Sequence, residues 1–136
     1  MPIKSKKLTQ RGPYSYILAA QPDRILYLAG LLAVDETGNI VGKGDMKAQI
    51  RQIVLNIEGL LKEAGATLED VVRINIYTTN LEEFLRLGTW RSENFPQLWN
   101  YNQEAATSTA IGISALATPE YLLEIEATAA VNNTTG

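Results

Sequence analysis

The hydrophobic positions of the chain change period several times, and each change marks an element. Over Tyr121 to Val131 they alternate: Tyr121, Leu123, Ile125, Ala127, Ala129 and Val131 point one way, and Leu122, Glu124, Glu126, Thr128 and Ala130 the other. A period of two belongs to a half-buried strand. Residues 107–131 as a whole predict two strands joined by a turn, a terminal hairpin. Residues 24–34, RILYLAGLLAV, are almost continuously apolar and predict a central strand. Gly30 interrupts it, which signals a bulge or a close approach, or simple packing against a large neighbour. Residues 71–79, VVRINIYTT, predict a strand with Val72, Ile74 and Ile76 on one face. Arg73, Asn75 and Tyr77 share the other, a face suited to a cleft, another subunit or solvent.

Between these strands the period lengthens. Met46, Ile50, Ile53, Val54, Ile57, Leu60, Leu61 and Ala64 recur at helical spacing, with Asp45 placed as N-cap and Gly65 as terminator. Gly59 inside this helix is expected to permit close packing. A second helix is predicted after Asn80, with Leu81, Phe84, Leu85, Leu87, Trp90 and Phe95 on its apolar side and Pro96 at its end. Residues 3–8 and 15–20 predict short strands. The glycine-rich loop 35–44 lacks the spacing of a phosphate-binding loop. The order strands, helix, strand, helix, strands predicts one α+β domain over 1–136: a mixed sheet with two helices packed on one face. The other face carries enough apolar groups to predict self-association.

Composition narrows the chemistry. The chain has 136 residues, no cysteine and no histidine. Disulfides, a thiolate nucleophile and the histidine triads are therefore excluded, along with the commonest metal ligands. A formal charge of -3 gives no support for a nucleic-acid partner. No apolar run reaches the roughly 18 residues of a membrane span. The basic N-terminus is followed by no apolar signal segment, and with the lack of cysteine this fits a cytoplasmic protein. Glu124 and Glu126 stand out, because a carboxylate on a largely apolar strand is costly unless paired or used.

Several stretches resemble the RidA/YjgF/UK114 family. These are GPYS at 12–15, LYLAG at 26–30, ETG and GKGDMKAQIRQIVLNIEGLLKEAG within 36–65, LEDVVRINIYTTNLEEF at 68–84, STAIGISAL at 108–116 and LEIEATAAV at 123–131. The resemblance implies a chorismate-mutase-like fold, a homotrimer whose sheets form a central barrel, and three intersubunit clefts that take a small molecule. It also implies hydrolysis of enamines or imines to ammonia and an oxo acid, with no cofactor and no metal.

By the same resemblance Glu124 is the catalytic residue that positions or activates water, and Tyr14 and Gly30 are the motif tyrosine and the cleft glycine at the substrate; backbone groups near Gly30 and Ile111 are expected to orient it. The family's arginine for the substrate carboxylate falls at Ser108, its helix-two asparagine at Gly88, the tyrosine three residues on at Arg91, and an occasional cysteine at Ala110. Serine cannot replace a bidentate guanidinium. An altered substrate is therefore expected rather than the usual 2-imino acid, with Arg91 or Arg73 as substitute cations or Arg91 as an ordinary solvated residue. Trp90, Trp99 and Tyr101 shape a pocket or simply pack. A non-catalytic metabolite-binding trimer is the alternative function. A ribonuclease, reported for some relatives, has little chemical support in an acidic chain without histidine.

Overall fold

The computed structural model describes residues 1–5 and 7–133. A four-stranded mixed sheet runs in the order β3-β6-β4-β5, formed by Arg24–Leu31 (β3), Val71–Thr78 (β4), Thr107–Gly112 (β5) and Leu123–Val131 (β6). Pro2–Ile3 (β1) and Ile17–Leu18 (β2) form a separate antiparallel pair. Only Ile3 of the strand predicted over 3–8 lies in β1, and Lys6 lies outside the described residues.

One face of the sheet is covered by Met46–Glu63 (α1), Leu81–Arg86 (α2) and Gly88–Asn94 (α3). Asp45 caps α1 by accepting from the Ala48 amide, and Gly65 follows its end at φ +79°, where a Cβ would be strained. Ile50, Ile53, Ile57 and Leu61 pack on Ile74, Ile76, Leu123 and Ile125 to make the core. Gln49 is fully buried on this face. Its amide donates to the Gly42 and Glu120 carbonyls and accepts from the Leu122 amide at 2.8 Å, which fixes the chain just where it enters β6.

Several expectations are corrected. The segment 107–131 is not a hairpin: β5 pairs with β4 in parallel, and β6 lies between β3 and β4. The connection from β4 to β5 contains two helices, and a crossover of that length returns a parallel neighbour. Residues 113–122 must then carry the chain past β4 to the slot beside β3. The second helix breaks at Leu87 into α2 and α3, so three helices cover the sheet, and Leu85 is exposed. A register shift between Val71 and Arg73 puts Val71, not Val72, in the core. Gly59 faces open space rather than a close neighbour.

Candidate functional site

The strand register decides which side chains share the uncovered face. Glu124 stands opposite Tyr77, Glu126 opposite Asn75, and Thr128 opposite Arg73. On the far side of β4, Ile111 is level with Tyr77. On β3, Tyr27 is level with Thr128, and a register irregularity between Leu28 and Leu31 contains Gly30. The face is therefore a polar strip down β6 and β4 with apolar groups at both margins.

The two carboxylates differ in their partners. Glu126 accepts from Asn75 Nδ2 at 3.0 Å and from the Tyr77 hydroxyl at 2.8 Å. The bond to Glu126 raises the Tyr77 phenol above its usual range, with desolvation and the charges of Glu126 and Glu124 adding to the effect and Arg73 opposing it. Glu124 has no hydrogen-bond or ion-pair partner among the described residues. Its carboxylate lies against the backbone of Gly30. A Cβ there would stand 2.8 Å from Glu124 Cδ and nearer still to Oε2. Gly30 thus reads as a close approach in an irregular strand, and the group it admits is a carboxylate with free lone pairs.

The other expected site residues lie elsewhere. Ser108 is level with Ile74, on the helix side of the sheet. Tyr14 sits beyond the start of β5, because Ser15 bridges Thr107 and its amide donates to Ala106 O. From there to Glu124 is three strand spacings across, roughly 14 Å, and five residues along, roughly 17 Å. A single small ligand cannot touch both within one chain. Glu124 meets Gly30 and has Tyr77 as its neighbour on β4, with Ile111 in the same row but two strands from Glu124; Tyr14, Ser108 and Arg91 do not join them.

The family model described as Endoribonuclease L-PSP matches residues 4–131. The chain belongs to the RidA/YjgF/YER057c/UK114 family. It is 36% identical over 119 residues to a RutC family protein of Pyrococcus abyssi, covering 87% of this chain and 86% of that one. It is 30% identical over 116 residues to the 3-aminoacrylate deaminase RutC of Acinetobacter baylyi, covering 85% and 86%. The structure superposes on a Rid-family protein of unknown function from Yersinia pestis, YyfB, with a TM-score of 0.81 at 30% identity, covering 96% and 98%.

In this RidA-family chain Arg91 is only 3% exposed, which rules out direct contact with a ligand on the open face. Its guanidinium lies 3.8 Å over the Phe84 ring and 5.2 Å from that of Trp99, and Nη1 donates to Phe84 O. Desolvation lowers its pKa to about 10, with Tyr101 opposing. It still carries its charge at neutral pH. Trp90 packs edge-on to Phe95 and lies under Lys47 and Arg51, and Trp99 is buried, so both are packing residues. A groove of about 690 Å³ opens at the opposite end of the sheet from Glu124, lined by Pro2, Leu18, Gln21, Asp70, Asn100 and Ala130 among others. It contains neither Glu124 nor Tyr14. Among the described residues no cluster of histidine, cysteine and acidic side chains could hold a metal ion, and no helix is long and apolar enough to cross a membrane.

Sequence reasoning singled out Glu124 and Gly30 but missed that Asn75 and Tyr77 bind the second carboxylate. The signal is present in the sequence: alternation puts both on the polar face of β4, and Glu126 on the polar face of β6.

Proposed function

We propose that this chain is a hydrolase of small enamines or imines, with Glu124 as the group that handles water. The observation that carries the reading is the Glu124 carboxylate, laid over Gly30 and unpartnered while its neighbour Glu126 is held by two donors. Likeness to a 3-aminoacrylate deaminase supports an enamine as the substrate class. An enamine becomes an iminium when its carbon is protonated. Water then adds to the iminium carbon as Glu124 accepts a proton from it. The resulting carbinolamine loses ammonia once that proton reaches the nitrogen, and its hydroxyl gives back to solvent the proton taken up at carbon, leaving a carbonyl product. Two bonds are exchanged and no electrons are lost.

The site is completed by a second copy of the chain in a homotrimer whose sheets face one another. The separation of Tyr14 from Glu124 supports this, as do the exposed Ile25 and Tyr27 beside the polar strip. Placement of Ser108 on the helix side gives a specific reason to keep the alternative of a trimer that binds a metabolite without converting it. Ammonia release from 3-aminoacrylate and from 2-iminopropionate, each generated in situ, separates the two. Release above the spontaneous rate supports hydrolysis, and release at the spontaneous rate with both refutes it.

Gly30→Ala provides a selective test. The added methyl meets the end of a flexible side chain, and Gly30 is not at positive φ, so the fold bears little cost. Turnover is expected to fall at least about tenfold, with the thermal midpoint unchanged within about 2 °C. Unchanged turnover would mean that the position of the carboxylate is irrelevant.

A further inference from the structure

The Tyr14 end of the chain carries a second arrangement that points to a ligand. Gly88 is buried at the start of α3, and the space a side chain would fill there is taken by Tyr101: a Cβ at Gly88 would stand 2.5 Å from the Tyr101 hydroxyl and 4.0 Å from Pro13 Cδ. The loop carrying Tyr101 is pinned to this spot, because the Asn100 amide donates to Pro13 O at 3.0 Å and Trp99 beneath it is buried. Tyr101 itself remains 47% exposed, and its hydroxyl has no hydrogen-bond partner among the described residues. Next in sequence to Pro13, Tyr14 packs edge-on to Tyr16 with ring centroids 5.3 Å apart.

Electrostatics give the ligand its sign. Arg91, three residues into α3 from Gly88, is buried with no carboxylate partner among the described residues, and its Nε has no hydrogen-bond acceptor. An unpaired cation in a poorly solvated setting projects a positive potential over several ångströms. Tyr101 is near enough to Arg91 to affect its protonation. Arg11, exposed and without an ion pair among the described residues, lies near enough to Tyr14 to offset part of the rise that burial imposes on its phenol.

We propose that Tyr101, seated in the space left by Gly88, is the hydrogen-bond donor that receives the carboxylate of a small oxo acid or enamine acid, in the field of the buried Arg91. Recognition of the anion passes to a hydroxyl, while the balancing charge stays behind it in the helix layer. This deepens the hydrolase reading and rests on it for the identity of the acid. Tyr101 is a specificity residue that binds the unreactive end of the ligand.

The test is calorimetric titration of the full-length protein with pyruvate and with its uncharged amide, pyruvamide, on wild type, Tyr101→Phe, Gly88→Ala and the double variant. Tyr101→Phe removes one hydrogen bond to a charged group and is expected to weaken pyruvate about tenfold or more, with pyruvamide changing less than about threefold. Gly88→Ala displaces the same hydroxyl and is expected to match it, and the double variant to be no worse than either single one, since both remove one interaction. In turnover, KM for 3-aminoacrylate rises while kcat holds. Pyruvate binding unchanged in Tyr101→Phe, equal affinity for acid and amide in the wild type, additive losses, or no pyruvate binding by the wild type at millimolar concentration would each overturn the proposal. Wild-type binding that Tyr101→Phe weakens, without any enamine turnover, would uphold Tyr101 and refute the hydrolase reading.

Discussion

Glu124→Gln is expected to reduce ammonia release from 3-aminoacrylate by about 10²- to 10⁴-fold, the usual contribution of a positioned general base. Glutamine has nearly the same shape, so it can lie over Gly30 as the carboxylate does. It cannot take a proton from water. Ligand affinity is therefore expected to change much less than kcat. Glu126→Gln is the matched control on the same strand. Its carboxylate already accepts from Asn75 and Tyr77, so the change weakens a structural contact rather than removing a base. Turnover is expected to stay within about tenfold of wild type, with a loss of roughly 1–3 kcal/mol in stability for the weakened charged hydrogen bonds. Steady-state ammonia assays and chemical denaturation measure the two effects. Equal losses of kcat in both variants would remove the distinction between the two carboxylates.

Placing aspartates at Ile25 and Tyr27 together is expected to convert the assembly to monomers and abolish turnover. Ile25 is 50% and Tyr27 79% exposed in the single chain, so neither substitution opens a cavity in the core. Both lie on the uncovered face, where Ile25 is level with Ala130 and Tyr27 with Thr128. An interface that buried them would have to desolvate two carboxylates without partners, at several kcal/mol each. The single chain also exposes 8002 Å², against roughly 7000 Å² for a monomer of its 15.0 kDa mass. Sedimentation velocity reads the mass directly. A trimer that survives the double change would place the interface elsewhere.

The parts of the fold legible in the sequence were those with a strong local period. Helix α1 and its two caps are visible because Asp45, the apolar stripe and Gly65 agree. Strand β6 is visible because its burial alternates from Leu123 to Val131. Strand order was not legible. The nearness in sequence of β5 and β6 suggests a hairpin, yet the helical crossover from β4 commits β5 to a parallel position first. Burial of Arg91 was hidden for a related reason. A single helix through residue 95 would leave it solvated, but the break at Leu87 turns α3 and carries Arg91 onto Phe84 and Trp99. Glu124 and Gly30 were individually legible, the first from alternation and the second as a glycine inside a strand. Their contact was not, because it depends on the irregularity between Leu28 and Leu31. Tyr101 had a faint signal only: a glycine within a helical pattern can mark close approach of another group, and Gly88 does so.

The central claim is that one chain carries two half-sites that meet only between copies. Mixing unfolded Glu124→Gln with unfolded Tyr14→Ala and refolding them together tests it most directly. Each parent alone lacks one half in every site. In randomly mixed trimers about a quarter of the sites combine an intact Glu124 with an intact Tyr14 from the neighbour. Ammonia release from 3-aminoacrylate is predicted to recover to about that fraction of wild type. Recovery no greater than the mean of the two parents would contradict a shared site.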